Sequence, residues 1–365
     1  MIPDYPIRVL CVFSTLDRGG AESMCMNLYR HIDREKIQFD FVKHTPAKGA
    51  FEDEIISLGG RIYETPRFTL KNAMKYYNWW KKHLVAHQEH QIIHGHFFGI
   101  SPIYFRIAKQ KGRITVGHIH IDRPDRPIKA LFARFISGVT DYPFACSKPA
   151  GSWVYRKRPF TVLNNAIEAD RFRADSSVAK AVREEFSLGE SLVLGNVSRF
   201  NLQKNPHGTL EIFRLVHEKR PASKLLWIGD GPMRQEVTDK AKEYGVLDDV
   251  VFTGVRKDVE RLLQAMDAFV FPSFYEGLPV SAIEAQAAGL PCFISDKVTK
   301  EVDVTGLCHF LPIDGSEDWA EKWADAILQD KTVRQDTSEQ IIAAGYDIQT
   351  TAKWLEEFYL SIYKE

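Results

Sequence analysis

The chain has 365 residues, 44% hydrophobic and 26% charged, with basic and acidic side chains in equal number. That length exceeds one ordinary core and suits two, and the composition excludes disordered, collagen-like and membrane-spanning classes, because no apolar run approaches the roughly 18 to 20 residues a spanning helix needs. Zero net charge hides an asymmetry: residues 1–165 hold 25 Lys and Arg against 14 Asp and Glu, a net +11, and the remaining 200 residues carry the compensating −11.

In chain order, Met1 to Arg8 contains Asp4 and two prolines where a basic and then apolar leader would stand, so a cytosolic protein is expected. A β-branched and aromatic run at 7–13 precedes a helical pattern at 21–32 and a second run at 38–42. This β-α-β grammar continues through runs at 91–96, 114–119, 143–146 and 160–163, each apolar enough for a strand covered on both faces. A second series follows Asn164-Asn165, with strands expected at 192–197, 224–228, 250–253, 268–271 and 291–294. The polar stretch from Asn164 to Asp175 is the expected hinge. At 350–363, Trp354, Leu355, Phe358, Tyr359 and Ile362 share one helical stripe, which predicts a docking helix. The fold class is therefore α/β, with two Rossmann-like, doubly wound parallel-sheet domains facing across a cleft: residues 1–165 and 166–346, with a C-terminal helix in 347–365 crossing back to the first domain. The five cysteines are far apart, mostly within apolar runs, without CxxC or Cys/His metal spacing, and are expected to be reduced core residues.

Open sheets of this kind bind ligands beyond the carboxyl ends of their strands. The first such loop is Asp17-Arg18-Gly19-Gly20-Ala21-Glu22, where glycines let backbone approach a ligand and the following helix start favours a phosphate; a plain packing turn is the competing reading. Neither this loop nor Gly229-Asp230-Gly231-Pro232 has the G-x-G-x-x-G spacing, so a dinucleotide cofactor is disfavoured. His118 and His120 end a strand, and one imidazole is expected to point into the cleft and the other into the sheet. His94 and His96 repeat the arrangement one strand earlier, which raises a metal site, disfavoured for want of acidic or cysteine ligands at matching spacing. Arg199 and Lys204 follow the strand at 192–197, suited to a diphosphate as a fork and a point charge. The strongest local pattern runs from Phe271 to Ala285. Here a strand ends, Gly277 turns, Pro279 suits the first helical position, and Glu276 and Glu284 are placed to accept hydrogen bonds from paired sugar hydroxyls. Either glutamate alone would more often be a solvated or capping residue.

These residues resemble the family 4 retaining glycosyltransferases of the GT-B fold across nearly the whole chain. The family's E-x7-E element corresponds to Glu276 and Glu284, its Arg/Lys pair to Arg199 and Lys204, its glycine loop to Gly19 and Gly20, and its histidine to His120 or His118. The runs from Tyr275 to Pro291 and Thr299-Lys300-Glu301-Val302 are similar to those of bacterial capsule and exopolysaccharide assembly enzymes. The resemblance implies a nucleotide-sugar donor, a UDP-sugar, held in the second domain. Glu284 would lie on the ribose, Arg199 and Lys204 on the diphosphate, and Glu276 with the backbone of Gly277, Leu278, Pro279 and Val280 on the transferred sugar, with Gly229 beside them. It further implies no metal or other cofactor, a lipid-linked oligosaccharide acceptor entering through the basic first domain, and no nucleic-acid partner. Ile121 after His120 departs from the family pattern and leaves the choice of histidine open. Peripheral contact with the anionic inner face of the membrane would fall to residues 76–84 (YYNWWKKHL) and 126–135 (RPIKALFARF), which mix apolar and basic side chains as interfacial helices do, although domain-packing helices look the same. Two other functions fit less well: a nucleotide-sugar 2-epimerase of the same architecture, and a nucleotide-sugar-binding protein without turnover.

Overall fold

Runs of Val, Ile, Leu and Phe with few polar interruptions can be satisfied only by a sheet covered on both faces. In the computed structural model, which describes residues 6–96, 98–120 and 135–363, they form two such sheets. The first holds β1 (Ile7–Val12), β2 (Ile37–Lys43), β3 (Ile62–Glu64), β4 (Ile92–Gly95), β5 (Ile114–Ile119), β6 (Tyr142–Ala145) and β7 (Thr161–Val162), in the order β3-β2-β1-β4-β5-β6-β7. The second holds β8 (Leu192–Val197), β9 (Ser223–Ile228), β10 (Val250–Gly254), β11 (Ala268–Phe271), β12 (Cys292–Ser295) and β13 (Cys308–Leu311), in the order β10-β9-β8-β11-β12-β13. Every pairing is parallel. Strand order reverses between β1 and β4 in one sheet and between β8 and β11 in the other, and the loops leaving these strands flank the crevice where such sheets take ligands. The edge strands β3 and β13 were absent from the sequence-based expectation, being short and only partly buried.

The chain divides into two compact units, residues 1–166 with 347–365, and residues 167–346. The boundary falls inside the stretch from Asn164 to Asp175, whose polar residues are mostly exposed or half-buried while four apolar ones are buried. Ala166 packs into the first unit, while Ile167, Ala169 and Phe172 are buried in the second, the latter two in a short 3-10 turn, Ala169–Phe172. The last helix, Ile348–Ile362, is capped by the Asp347 carboxylate, which accepts from Thr350 N at 2.8 Å. It returns to the first unit and buries Ile348, Ala352, Leu355, Tyr359 and Ile362 in its core, leaving Trp354 at the rim, stacked on Phe358.

The aromatic stretch at 76–84 lies in the helix Ala73–Ala86. Its Tyr76, Trp80, His83 and Leu84 face the interior, so most of its apolar surface is spent on packing, and Met74, Tyr77, Lys81, Lys82 and Val85 remain outside. Residues 126–134 of the second proposed interfacial stretch lie outside the described residues. No described helix is long and apolar enough to cross a membrane.

Candidate functional site

In the second unit the loops after β8 and β11 are built rigidly and laced together. Phe200 is fully buried and stacks on Trp227 at 4.5 Å between ring centroids, which pins the backbone just beyond Arg199. Asn201 caps the following 3-10 turn, Leu202–Lys204. Asn205 takes the left-handed conformation at φ 50°, accepts from Gly208 N to cap the helix Pro206–Lys219, and donates through Nδ2 to Pro272 O at 3.1 Å. Gln203 adds two more ties, from Phe274 N to its carbonyl at 2.9 Å and from its Nε2 to Tyr275 O at 3.0 Å. Lys204 is held between two caps, and its Nζ meets Glu276 Oε1 at 2.6 Å while lying 5.0 Å from the centre of the Phe271 ring. The Glu276 side chain is 8% exposed and that of Lys204 20%, so the pair is shielded far more than a surface ion pair. Arg199 stands exposed nearby, and among the described residues its guanidinium has no partner.

The β9 loop closes against the same place. Gly229 adopts φ 136°, and a Cβ there would lie 2.0 Å from Ser198 O, so only glycine lets the two loops touch. After β11, Gly277 and Leu278 lead into the helix Val280–Ala287. Pro279 proves to be the residue before the first helical turn, with ψ 112°, one position earlier than expected. Among the described residues no side chain caps this helix, which leaves its first amides to water or a ligand. Leu278 and Val280 pack on the core beneath. Glu284 is partly buried in the same helix, and burial, reinforced by the charge of Glu260, pushes its carboxyl up to about 7. The structure thus joins Lys204 to Glu276 directly, and leaves Arg199 and Glu284 without ion-pair partners among the described residues.

In the first unit, Gly19 precedes the helix Gly20–His31, again without a side-chain cap. A Cβ on Gly19 would meet Glu22 Oε2 at 2.2 Å, whereas one on Gly20 would meet nothing within 4 Å, so packing alone does not require glycine at position 20.

The expectation that His118 and His120 point to opposite sides is wrong, because residues two apart on a strand share a face. Their rings lie 4.2 Å apart. His94 and His96 do the same at 4.2 Å, and the two pairs join into one cluster on neighbouring strands, with His96 Nδ1 and His120 Nε2 at 2.9 Å and His96 stacked on Phe13. His118 is fully buried and His120 partly exposed. Burial holds all four imidazoles well below the usual histidine range, His94 and His120 at about 3. Four ring nitrogens here, His94 Nε2, His96 Nε2 and both of His118, have no hydrogen-bond partner among the described residues, and a buried group left so costs about 1–3 kcal/mol. Cys11 and Cys25 also lie beside His96, their ligand atoms and its own within 4.8 Å of one another, a proximity that linear spacing did not reveal. One further residue and one contact were missed. Asn205 could have been found from its place before Pro206, the signature of a capped helix start. Tyr359 was expected only on the apolar stripe of the last helix, and the bond of its hydroxyl to His94 Nδ1, across 265 positions of chain, left no local signal.

Residues 179–345 match the family described as Glycosyl transferases group 1, and residues 18–171 match Glycosyltransferase Family 4. EpsF of Bacillus subtilis, named as a glycosyltransferase, is 32% identical over 371 residues, 96% of this chain and 96% of its own. The UDP-Gal:alpha-D-GlcNAc-diphosphoundecaprenol alpha-1,3-galactosyltransferase of Escherichia coli is 30% identical over 142 residues, 37% of this chain and 36% of its own. Anabaena HepE, solved in complex with UDP, superposes with a TM-score of 0.79 at 17% identity over 98% of this chain and 100% of that one, a likeness that bears on the fold alone. Matched along almost its whole length by EpsF and half by half by the two family patterns, this chain belongs to the family 4 glycosyltransferases of the GT-B fold.

Proposed function

We propose that the chain transfers a sugar, with retention of anomeric configuration, from a UDP-sugar to a hydroxyl of a lipid-linked oligosaccharide in capsule or exopolysaccharide assembly. The observation that carries this is the shielded Lys204–Glu276 pair at the strand-order reversal of the second sheet, beside an uncapped helix start and Arg199, which has no ion-pair partner among the described residues. Cations there offset the charge that develops on a departing nucleoside diphosphate, the largest electrostatic demand of such a transfer. Arg199 and Lys204 take the diphosphate. Glu276 and the backbone of Gly277, Leu278, Pro279 and Val280 hold the transferred sugar, Gly229 admits the donor closely, and Glu284 accepts from the ribose hydroxyls.

In the reaction the bond from the anomeric carbon to the phosphate oxygen breaks as the bond to the incoming hydroxyl forms on the same face, and the hydroxyl proton passes to the leaving phosphate. No separate nucleophile and no divalent ion on the diphosphate are required. Gly19 and Gly20 give a ligand room at the first unit, and the partly exposed His120, not the buried His118, is the histidine that meets substrate. The UDP donor is supported by the UDP bound to HepE, and the lipid diphosphate acceptor by the diphosphoundecaprenol acceptor of the Escherichia coli relative. A net +11 over residues 1–165 suits an acceptor at an anionic membrane surface.

The test is incubation with labelled UDP-sugars and a polyprenyl-diphosphate glycan, with the product's anomeric configuration read by NMR. An α-linked product from an α-linked donor, formed equally well without added magnesium or manganese, is expected. Inversion, or epimerised free sugar without transfer, would refute the proposal.

A further inference from the structure

The histidine cluster of the first unit lies outside the donor chemistry assigned to the second. His94 and His96 stand two residues apart at the carboxyl end of β4 and so share a face, and the register Gly95 with Gly117 sets His118 of β5 on the neighbouring strand. All three are at least nine-tenths buried, at 1%, 7% and 0% exposure. Their ligand atoms lie within 4.8 Å of one another. Among the described residues, the nitrogens without partners are His94 Nε2, His96 Nε2 and both of His118, while Nδ1 of His94 is bonded to the Tyr359 hydroxyl and Nδ1 of His96 to His120. In His94 and His96 that division is the one a metal-binding imidazole needs, with one nitrogen oriented by an outer partner and the other offering a lone pair, and His118 offers either of its nitrogens.

We infer that His94, His96 and His118 form a binding site for a divalent transition-metal ion, zinc being the best match, with Tyr359 and His120 as its orienting partners. Imidazole nitrogens in this number suit zinc's preference for nitrogen ligands and its tolerance of three protein ligands with a fourth position open. Zinc–nitrogen bonds of about 2.0–2.1 Å require the three donors to close to roughly 3.4 Å from one another, which small rotations of the rings allow. His120, partly exposed, marks the side from which the ion enters. Because Tyr359 belongs to the last helix, the ion would also fasten that helix to the sheet of its own unit.

The full chain, stripped with chelator and dialysed, is titrated with zinc chloride by calorimetry and separately loaded with cobalt. One ion per chain is expected, with cobalt giving the visible absorption of tetrahedral nitrogen ligation. His94→Ala and His118→Ala should each weaken zinc at least a hundredfold, Tyr359→Phe about tenfold, and Cys11→Ser not at all. No saturable uptake, or undiminished affinity in His118→Ala, would overturn the site. An intense near-ultraviolet thiolate band in the cobalt protein would move the ion to Cys11 and Cys25 and overturn it equally. The cobalt spectrum is read on the unaltered chain, so the outcome stands even where a histidine variant does not fold.

Discussion

Under the proposed transfer, the Lys204–Glu276 pair is the contact whose loss should be felt most directly. Both groups sit on loops at the end of a sheet, so Lys204→Ala or Glu276→Ala should leave the circular dichroism spectrum unchanged while lowering transfer about a hundredfold or more, the loss typical of removing one electrostatic contact to a developing charge. Near-normal turnover in either variant would remove the assigned role. Glu284 adds a pH dependence with two opposite signs. An unfolded carboxyl titrates near 4.5 and this one near 7, so the folded chain retains the proton longer, and stability falls as pH climbs through that window, by at most about 3 kcal/mol and by less where water reaches the group. Ribose hydroxyls want the ionised form. UDP affinity measured by calorimetry should therefore rise about tenfold from pH 6 to pH 8, and a flat profile would separate Glu284 from the nucleotide.

At the scale of elements, the loops matter because they are tied to each other. Gly229 carries that argument in one position: Gly229→Ala forces a Cβ onto the Ser198 carbonyl at a positive φ, and should cost about 2–4 kcal/mol in urea unfolding. An unchanged midpoint would show that the β9 loop yields without cost. The central strands and the E-x7-E turn were legible in the sequence because parallel strands buried on both faces read as unbroken apolar runs, and because glycine, proline and paired acids mark a loop locally. What stayed hidden was non-local or marginal. Strand β3 spans three residues and β13 carries His309, neither enough for a pattern. The Asn164 to Asp175 stretch looked polar, yet its few apolar residues decide where it packs. The histidine cluster needed the register of β4 on β5, which no linear spacing conveys.

For the molecule as a whole, the return of the last helix makes the first unit discontinuous in sequence. Deleting residues 347–365 would strip Ile348, Ala352, Leu355, Tyr359 and Ile362 from its core. Limited proteolysis of that truncation should cut the first unit quickly and leave the second, residues 167–346, resistant, since the second keeps every core residue it has. Equal resistance of both would mean the helix is dispensable. The proposed transfer requires a nucleoside diphosphate to seat where β8 and β11 part, and a crystal structure with UDP tests this most directly. The diphosphate is predicted within hydrogen-bond distance of Arg199 and Lys204, with Lys204 drawn off Glu276 and the ribose on Glu284. UDP seated elsewhere, with the Lys204–Glu276 pair undisturbed, would contradict it.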